Sequence, residues 1–182
     1  ANSRIRVLPA DGRTPFTVAA DEPAFSMNLA GNPDPAVPAA RYTYTSMTTP
    51  TTTYDVDLAS GERRLRKVQP VIGYAAAKYA TERVWAPARD GQRIPVSLVY
   101  RRDRFKRDGS APLYIDGYGA YGLSNDPYFS SNRVSMLDRG FVISDHADWP
   151  DLLRTIADSG ASRVLTTHGY AGPLARYLGQ QG

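Results

Sequence analysis

The sequence predicts a mixed fold, an antiparallel β region built from hairpins followed by a partial α/β region, and three observations predict it. Over about the first hundred residues, short alternating strands recur between Gly, Pro, Asn and Asp turns, and no helical period competes. Ala111 to Ser131, APLYIDGYGAYGLSNDPYFSS, then runs a buried strand into a glycine-rich turn. From about Ser144 the pattern becomes β-α-β-α, the order of a parallel sheet.

Taken in order, Arg4 to Leu8 alternates through Ile5 and Val7, and Asp11-Gly12 turns the chain into Pro15 to Ala19. Phe25, Met27 and Leu29 alternate before the loop Gly31-Asn32-Pro33-Asp34-Pro35. Arg41 to Met47 carries Tyr42 and Tyr44 on one face and threonines on the other. Tyr54, Val56 and Leu58 alternate up to Ala59-Ser60-Gly61-Glu62, a hairpin turn from which Arg63 to Val68 returns. Strands so spaced argue for a propeller blade or a piece of a sandwich. Tyr79 to Tyr100 reads as a strand, an Asp90-Gly91 turn and a second strand carrying Pro95. Leu113, Tyr114 and Ile115 form the buried strand of the central stretch. The glycines behind it let the backbone take positive φ or approach a ligand closely, and from spacing alone they make a tight turn between core elements. In the tail, Pro150 starts a helix whose inward stripe is Leu152, Leu153, Ile156 and Ala157. Arg163 to Thr166 is a short strand, and Gly172 to Gln181 a second helix with Leu174, Ala175 and Leu178 inward.

With 182 residues, 42% hydrophobic and 22% charged, the chain has the composition of a globular protein rather than a disordered one. Without cysteine it has neither disulfides nor thiolate metal sites. No apolar run approaches the roughly 20 residues of a membrane-spanning helix, so no membrane partner is expected. The opening ANSRIRVLPADG lacks an apolar signal core and starts without methionine, which predicts an internal stretch of a longer protein in a cytoplasmic setting. The net charge of +4 is uneven: residues 61–107 hold 13 of the 22 Lys and Arg against 4 acids. There the charges alternate with Val84, Trp85, Val96, Leu98 and Tyr100, which predicts a solvated strand face and a hairpin loop rather than a nucleic-acid footprint.

RYTYTSMTTPTTTYDVDLASGERRLRKVQPV, with its strand, Thr/Ser-Pro segment and YDVD hairpin, resembles the end of the β-propeller of prolyl oligopeptidase family serine peptidases, oligopeptidase B above all. YATERVWAPARDGQRIPVSLVY resembles the crossing into that family's α/β-hydrolase domain, and Asp116-Gly117-Tyr118-Gly119 and Leu137-Asp138-Arg139-Gly140 follow at its spacing. The resemblance covers about residues 1–143. It implies the end of a β-propeller over 1–75 and the N-terminal part of an α/β-hydrolase-like domain over 76–143. It also implies short peptides, cut after basic residues, as substrates, with no cofactor. By resemblance Tyr118 donates to the oxyanion of the tetrahedral intermediate, where a preorganised donor is worth several kcal/mol.

The tail differs. SDHADWPDLLRTIADSGASRVLTTHGY resembles the C-terminal motifs of metallo-β-lactamase-fold nucleases of the β-CASP group, closest to the ligase-associated DNA exonucleases, which sets 144–182 apart with a join inside Leu137 to Ser144. Both histidines stand at strand ends, beside Asp145, Asp148, Thr166 and Thr167. Carried over, His146 in S-D-H-A-D matches the acid/base histidine and His168 in T-H-G a zinc ligand, so zinc and a nucleic-acid partner enter only through this tail.

Each resemblance lacks its centre. The peptidase triad needs a serine on a G-x-S-x-G elbow, and no such motif occurs in the sequence. The nuclease's H-x-H-x-D-H motif is likewise absent, which predicts weak or no zinc binding. Three readings follow: an oligopeptidase fragment inactive alone because its Ser/Asp/His triad lies outside the chain, a fragment of a β-CASP exonuclease, or a non-catalytic module binding peptide or nucleic acid. Lacking neighbouring blades and most of a hydrolase sheet, the chain is expected to be marginally stable, with exposed apolar edges.

Overall fold

The computed structural model describes residues 2–87, 91–117, 125–145, 153, 156–157, 164–165 and 171–180. They fall into two compact units, Ala1–Ala76 with Asp126–Ser130, and Ala77–Asn125 with Ser131–Gly182.

The first unit is a four-stranded antiparallel meander, β3 (Phe25–Leu29), β4 (Ala39–Ser46), β5 (Thr52–Asp57) and β6 (Arg63–Val68), in that spatial order. A small hairpin of β1 (Arg6–Val7) and β2 (Phe16–Thr17) accompanies it. The alternation read from sequence dictates the core. Tyr42 lies opposite Leu29 and Tyr54, and Tyr44 opposite Met27 and Thr52, so one face collects Phe25, Met27, both tyrosines and Val56. Ile5, Val7, Phe16 and Val18 cover that face, and Phe25 stacks on Tyr44 with centroids 5.7 Å apart. Each such side chain contributes on the order of 1.5–3 kcal/mol by leaving water. The hairpin turn between β5 and β6 is held by Asp57, whose Oδ1 accepts from the amides of Ala59 (2.9 Å) and Ser60 (2.7 Å). Gly61 closes it at φ +75, and a Cβ there would stand 3.0 Å from Cε2 of Phe16. Glycine is therefore required twice, for its dihedral and for the ring beside it.

The second unit is a five-stranded sheet in the order β11-β9-β10-β8-β7. The strands are β7 (Tyr79–Pro87), β8 (Arg93–Arg101), β9 (Leu113–Asp116), β10 (Val142–Asp145) and β11 (Val164–Leu165), with helices α1 (Ser131–Leu137) and α2 (Ala171–Gln180). β7, β8 and β10 pair antiparallel, while β10 and β11 flank β9 in parallel. The basic loop after Arg101 is not a hairpin, because β10 inserts between β8 and β9 and residues 102–112 cross it. One face of the sheet is covered by α1, which packs on β8 and β10. On the other, Leu113 and Ile115 pack with Tyr100, Phe105, Leu153, Ile156, Val164 and Leu178.

No unit boundary falls at 143/144. β10 runs through that point, and the helical residues Leu153 and Ile156, with Leu178 of α2, pack on Leu113 and Ile115 of β9, inside the hydrolase-like stretch. The physical reason is that a parallel strand pair needs both faces covered, and the tail supplies the second cover. Its inward stripe is narrower than expected: Ala157 and Ala175 are exposed, and Leu152 lies outside the described residues.

Gly61→Ala should cost about 1–2 kcal/mol, the price of a left-handed L-residue, with more from the displaced Phe16 ring. A urea melt followed by tyrosine fluorescence measures it; an unchanged midpoint contradicts the turn. Ile156→Ala should cost roughly 2–5 kcal/mol as a buried large-to-small change. A tail that merely lies on the surface would leave the melt unmoved.

Candidate functional site

In an open α/β sheet, ligands bind at the C-terminal strand ends where connections leave for opposite faces. Here that point lies between β9 and β10. The connection from β9 to β10 carries α1 on one face, and the one from β10 to β11 carries Leu153 and Ile156 on the other. Asp116 and Asp145, the last residues of the two strands, are register partners. Tyr118 follows Asp116 by two residues, His146 follows Asp145 directly, and His168 follows β11 by three. All three predicted site residues thus come after C-terminal ends of parallel strands, and all three lie outside the described residues.

What the structure adds is the ground beneath them. A register row crosses the sheet, Arg83 on β7 opposite Ser97 on β8, Ser97 opposite Asp145, and Asp145 opposite Asp116. Arg83 donates through Nη1 to Oγ of the fully buried Ser97 at 2.8 Å. At the far end Arg133 of α1 donates through Nη2 to Oδ2 of Asp116 at 3.2 Å, the two side chains only 10% and 21% exposed. Sequence reading missed this pair. The available signal was Asp116 itself, a carboxylate ending a buried apolar strand, which needs a partner.

The opposite edge of the sheet holds a second network. Asp138, just past α1, accepts from the Tyr79 hydroxyl at 2.7 Å and from Nη1 of Arg101 at 2.9 Å. Arg101 also bridges Asp103 through two nitrogens, at 2.7 and 3.1 Å. Burial, then the bond to Asp138, push the Tyr79 phenol up to about 12. Standing at the N-terminal ends of β9 and β10, this network is scaffold. Among the described residues no group of three His, Asp or Glu side chains is fit to hold a metal.

Comparison with known proteins decides the lineage. Residues 1–69 match the family described as "Prolyl oligopeptidase, N-terminal beta-propeller domain". Dipeptidyl aminopeptidase BI of Pseudoxanthomonas mexicana is 58% identical over 139 residues, 76% of this chain and 19% of that protein. The chain belongs to the prolyl oligopeptidase family. Protease 2 of Moraxella lacunata is 33% identical over 123 residues, 67% of this chain and 18% of that protein. Among solved structures, oligopeptidase B from Leishmania major superposes with a TM-score of 0.66 at 36% identity, covering 74% of this chain and 19% of that one. The chain spans about a fifth of the length of these relatives. The mixed, β-rich fold, with the propeller in its N-terminal part, is that of the prolyl oligopeptidase family.

The raised Tyr79 pKa makes the scaffold network pH-dependent. Its contribution is complete below the unfolded phenol's pKa near 10, and is lost as pH rises through about 12. Stability measured across that window should fall less steeply in Tyr79→Phe than in the parent chain. Parallel curves for the two would remove Tyr79 from the network.

Proposed function

We propose that this chain is a portion of a serine-type oligopeptidase of the oligopeptidase B kind, acting on short peptides after basic residues, and that the portion alone does not turn over substrate. The observation that carries the reading is the glycine-rich segment Gly117 to Gly122, which begins at the C-terminal end of β9, on the binding edge of the sheet. In this role the Tyr118 hydroxyl donates to the oxyanion formed when a peptide carbonyl is attacked. Such a donor acts only in the transition state, so it accelerates the reaction rather than tightening the substrate. It needs a nucleophile and a base, which the sequence offers in no G-x-S-x-G setting. The nuclease likeness of residues 144–182 rests on its two motifs alone, and no described side chain adds to it.

A reporter peptide with Arg or Lys before the scissile bond tests both halves of the proposal. The purified chain should leave it intact, and sustained turnover would refute the claim of inactivity. Residues 1–143 grafted in place of the matching stretch of the Pseudoxanthomonas relative should support hydrolysis. Tyr118→Phe in that graft should lower kcat by roughly 10²–10³-fold, as losing an oxyanion donor does. A folded graft that cuts nothing, or whose kcat ignores the substitution, counts against the reading.

A further inference from the structure

We propose that Asp126–Ser130 is a releasable strap, which fastens onto the polar face of the first unit's sheet over Ser26, Thr45 and Tyr74 and lets go while that sheet stays folded. The inference goes beyond the peptidase reading and does not rest on it.

The path of the chain singles this segment out. Asn125 before it and Ser131 after it both belong to the second unit, so the connection between β9 and α1 contributes five residues to the first. What holds them is main-chain chemistry. Ser26 and Thr45 are register partners on β3 and β4, and by alternation they lie on the face opposite Phe25 and Tyr44. Oγ of Ser26 donates to the Pro127 carbonyl at 3.0 Å, and the Phe129 amide donates to Oγ1 of Thr45 at 3.1 Å. Two hydroxyls on one rung thus satisfy a C=O and an N–H two residues apart, groups that an extended chain presents to the same side. Proline suits the first place, because it has no N–H to satisfy and biases Asp126 toward an extended backbone. The side chains follow the same alternation: Pro127 is buried and Phe129 half-buried, whereas Asp126 and Tyr128 are exposed. Phe129 meets the Tyr74 ring edge-on, with centroids 4.9 Å apart.

The seat is built from bonds in which the strap takes no part. Oγ1 of Thr45 also donates to the Thr49 carbonyl at 3.1 Å, and the Tyr74 hydroxyl donates to the Thr48 carbonyl. Both are therefore fixed by the Ser46–Pro50 turn, which Glu22 grips through the hydroxyls of Ser46, Thr48 and Thr49. The sheet itself rests on the aromatic cluster of its other face, to which no strap residue belongs. Two inward side chains and hydroxyl-mediated bonds, the outermost from Ser3 to the exposed Asp126 at 3.1 Å, make a thin hold. Segments held so thinly open at lower free energy than the strands beneath them. A segment that parted only when the whole unit unfolded would need a continuous apolar face, and Asp126 and Ser130 interrupt one.

Amide hydrogen exchange of the full chain, read by mass spectrometry on peptides from the strap and from β4 and β5, tests this. β4 and β5 are the reference because each is paired on both sides. The strap amides should exchange roughly tenfold or more faster than theirs under conditions where the sheet is folded. Ser26→Ala and Thr45→Val should each raise the strap's exchange a further several-fold and leave Thr52–Asp57 unchanged. Strap amides that exchange only in step with β4 and β5 overturn the release. A strap rate indifferent to both substitutions overturns the seating. Should Thr45→Val fail to fold, Ser26→Ala decides alone, since it removes one donor and leaves the bonds of the turn in place.

Discussion

The pairing of β9 with β10 in parallel is the constraint on which the second unit depends. A parallel pair cannot be joined by a tight turn, and it cannot leave a face to water as an antiparallel sheet can. The crossover from β9 therefore has to carry α1, and α1 lies on one face with Leu137 fully buried. The opposite face shows Leu113 and Ile115, both nearly inaccessible, and Tyr100 and Phe105 share their cover with Leu153, Ile156, Val164 and Leu178 of the tail. Whatever the origin of the tail, its described residues Leu153, Ile156, Val164 and Leu178 take part in the core on that face. The same two crossovers, departing to opposite faces, also leave a switch point at the C-terminal ends of β9 and β10, the place where open α/β sheets take ligands.

The first unit answers to a different constraint, that of the hairpin. Its strands are sequential neighbours, and its core is one aromatic face with a hairpin laid across it. Where that face meets the end of the sheet, the half-buried carboxylate of Glu22 accepts from Tyr44 at 3.0 Å, Ser46 and Thr49 at 2.7 Å, and Thr48. Hydroxyls rather than a cation satisfy it, which gives the threonine-rich run around Pro50 its purpose. Burial and the Glu22 charge together push the Tyr44 phenol well above its usual value, keeping it a donor. Exposed Leu29, Leu65 and Val68 mark where this sheet still presents apolar surface.

The strands of the first unit were legible because their information is local. Tyr42 and Tyr44 alternate with threonines, Asp57 and Gly61 punctuate, and each strand pairs with the next. Even there a bulge at Thr53/Tyr54, which leaves Arg66 without a register partner so that it reaches Asp55, had no sequence mark. The tail's β-α-β-α order was legible for the same reason, whereas its place in the sheet was not. Nothing in Val164-Leu165 says that it pairs with a strand fifty residues earlier rather than with its nearer neighbour β10. The Asp116–Arg133 pair is hidden similarly, since the partner of a buried charge is chosen by tertiary proximity. The site residues themselves, Tyr118, His146 and His168, were proposed from motifs, and the topology supplies only the strand ends they follow.

The basic stretch shows how far charge counting reaches. Thirteen cations in residues 61–107 invite a nucleic-acid partner when read as a sum. In the structure many are committed within the chain. Arg63 bridges Asp21 at 2.6 Å, Arg66 joins Arg41 on Asp55, Arg107 holds Glu82 at 2.5 Å and Arg101 serves both Asp103 and Asp138. The two guanidiniums on Asp55 hold its carboxyl down to about 2, so the cluster stays ionised and paired across the physiological range. Arg93 lies over the Trp85 ring and Arg83 on Ser97. A phosphate backbone gains affinity by releasing its counterions to cations that face it together. Guanidiniums already paired with carboxylates make a poor stripe of that kind. They do make a good lattice for holding strands, which is the use this chain gives them.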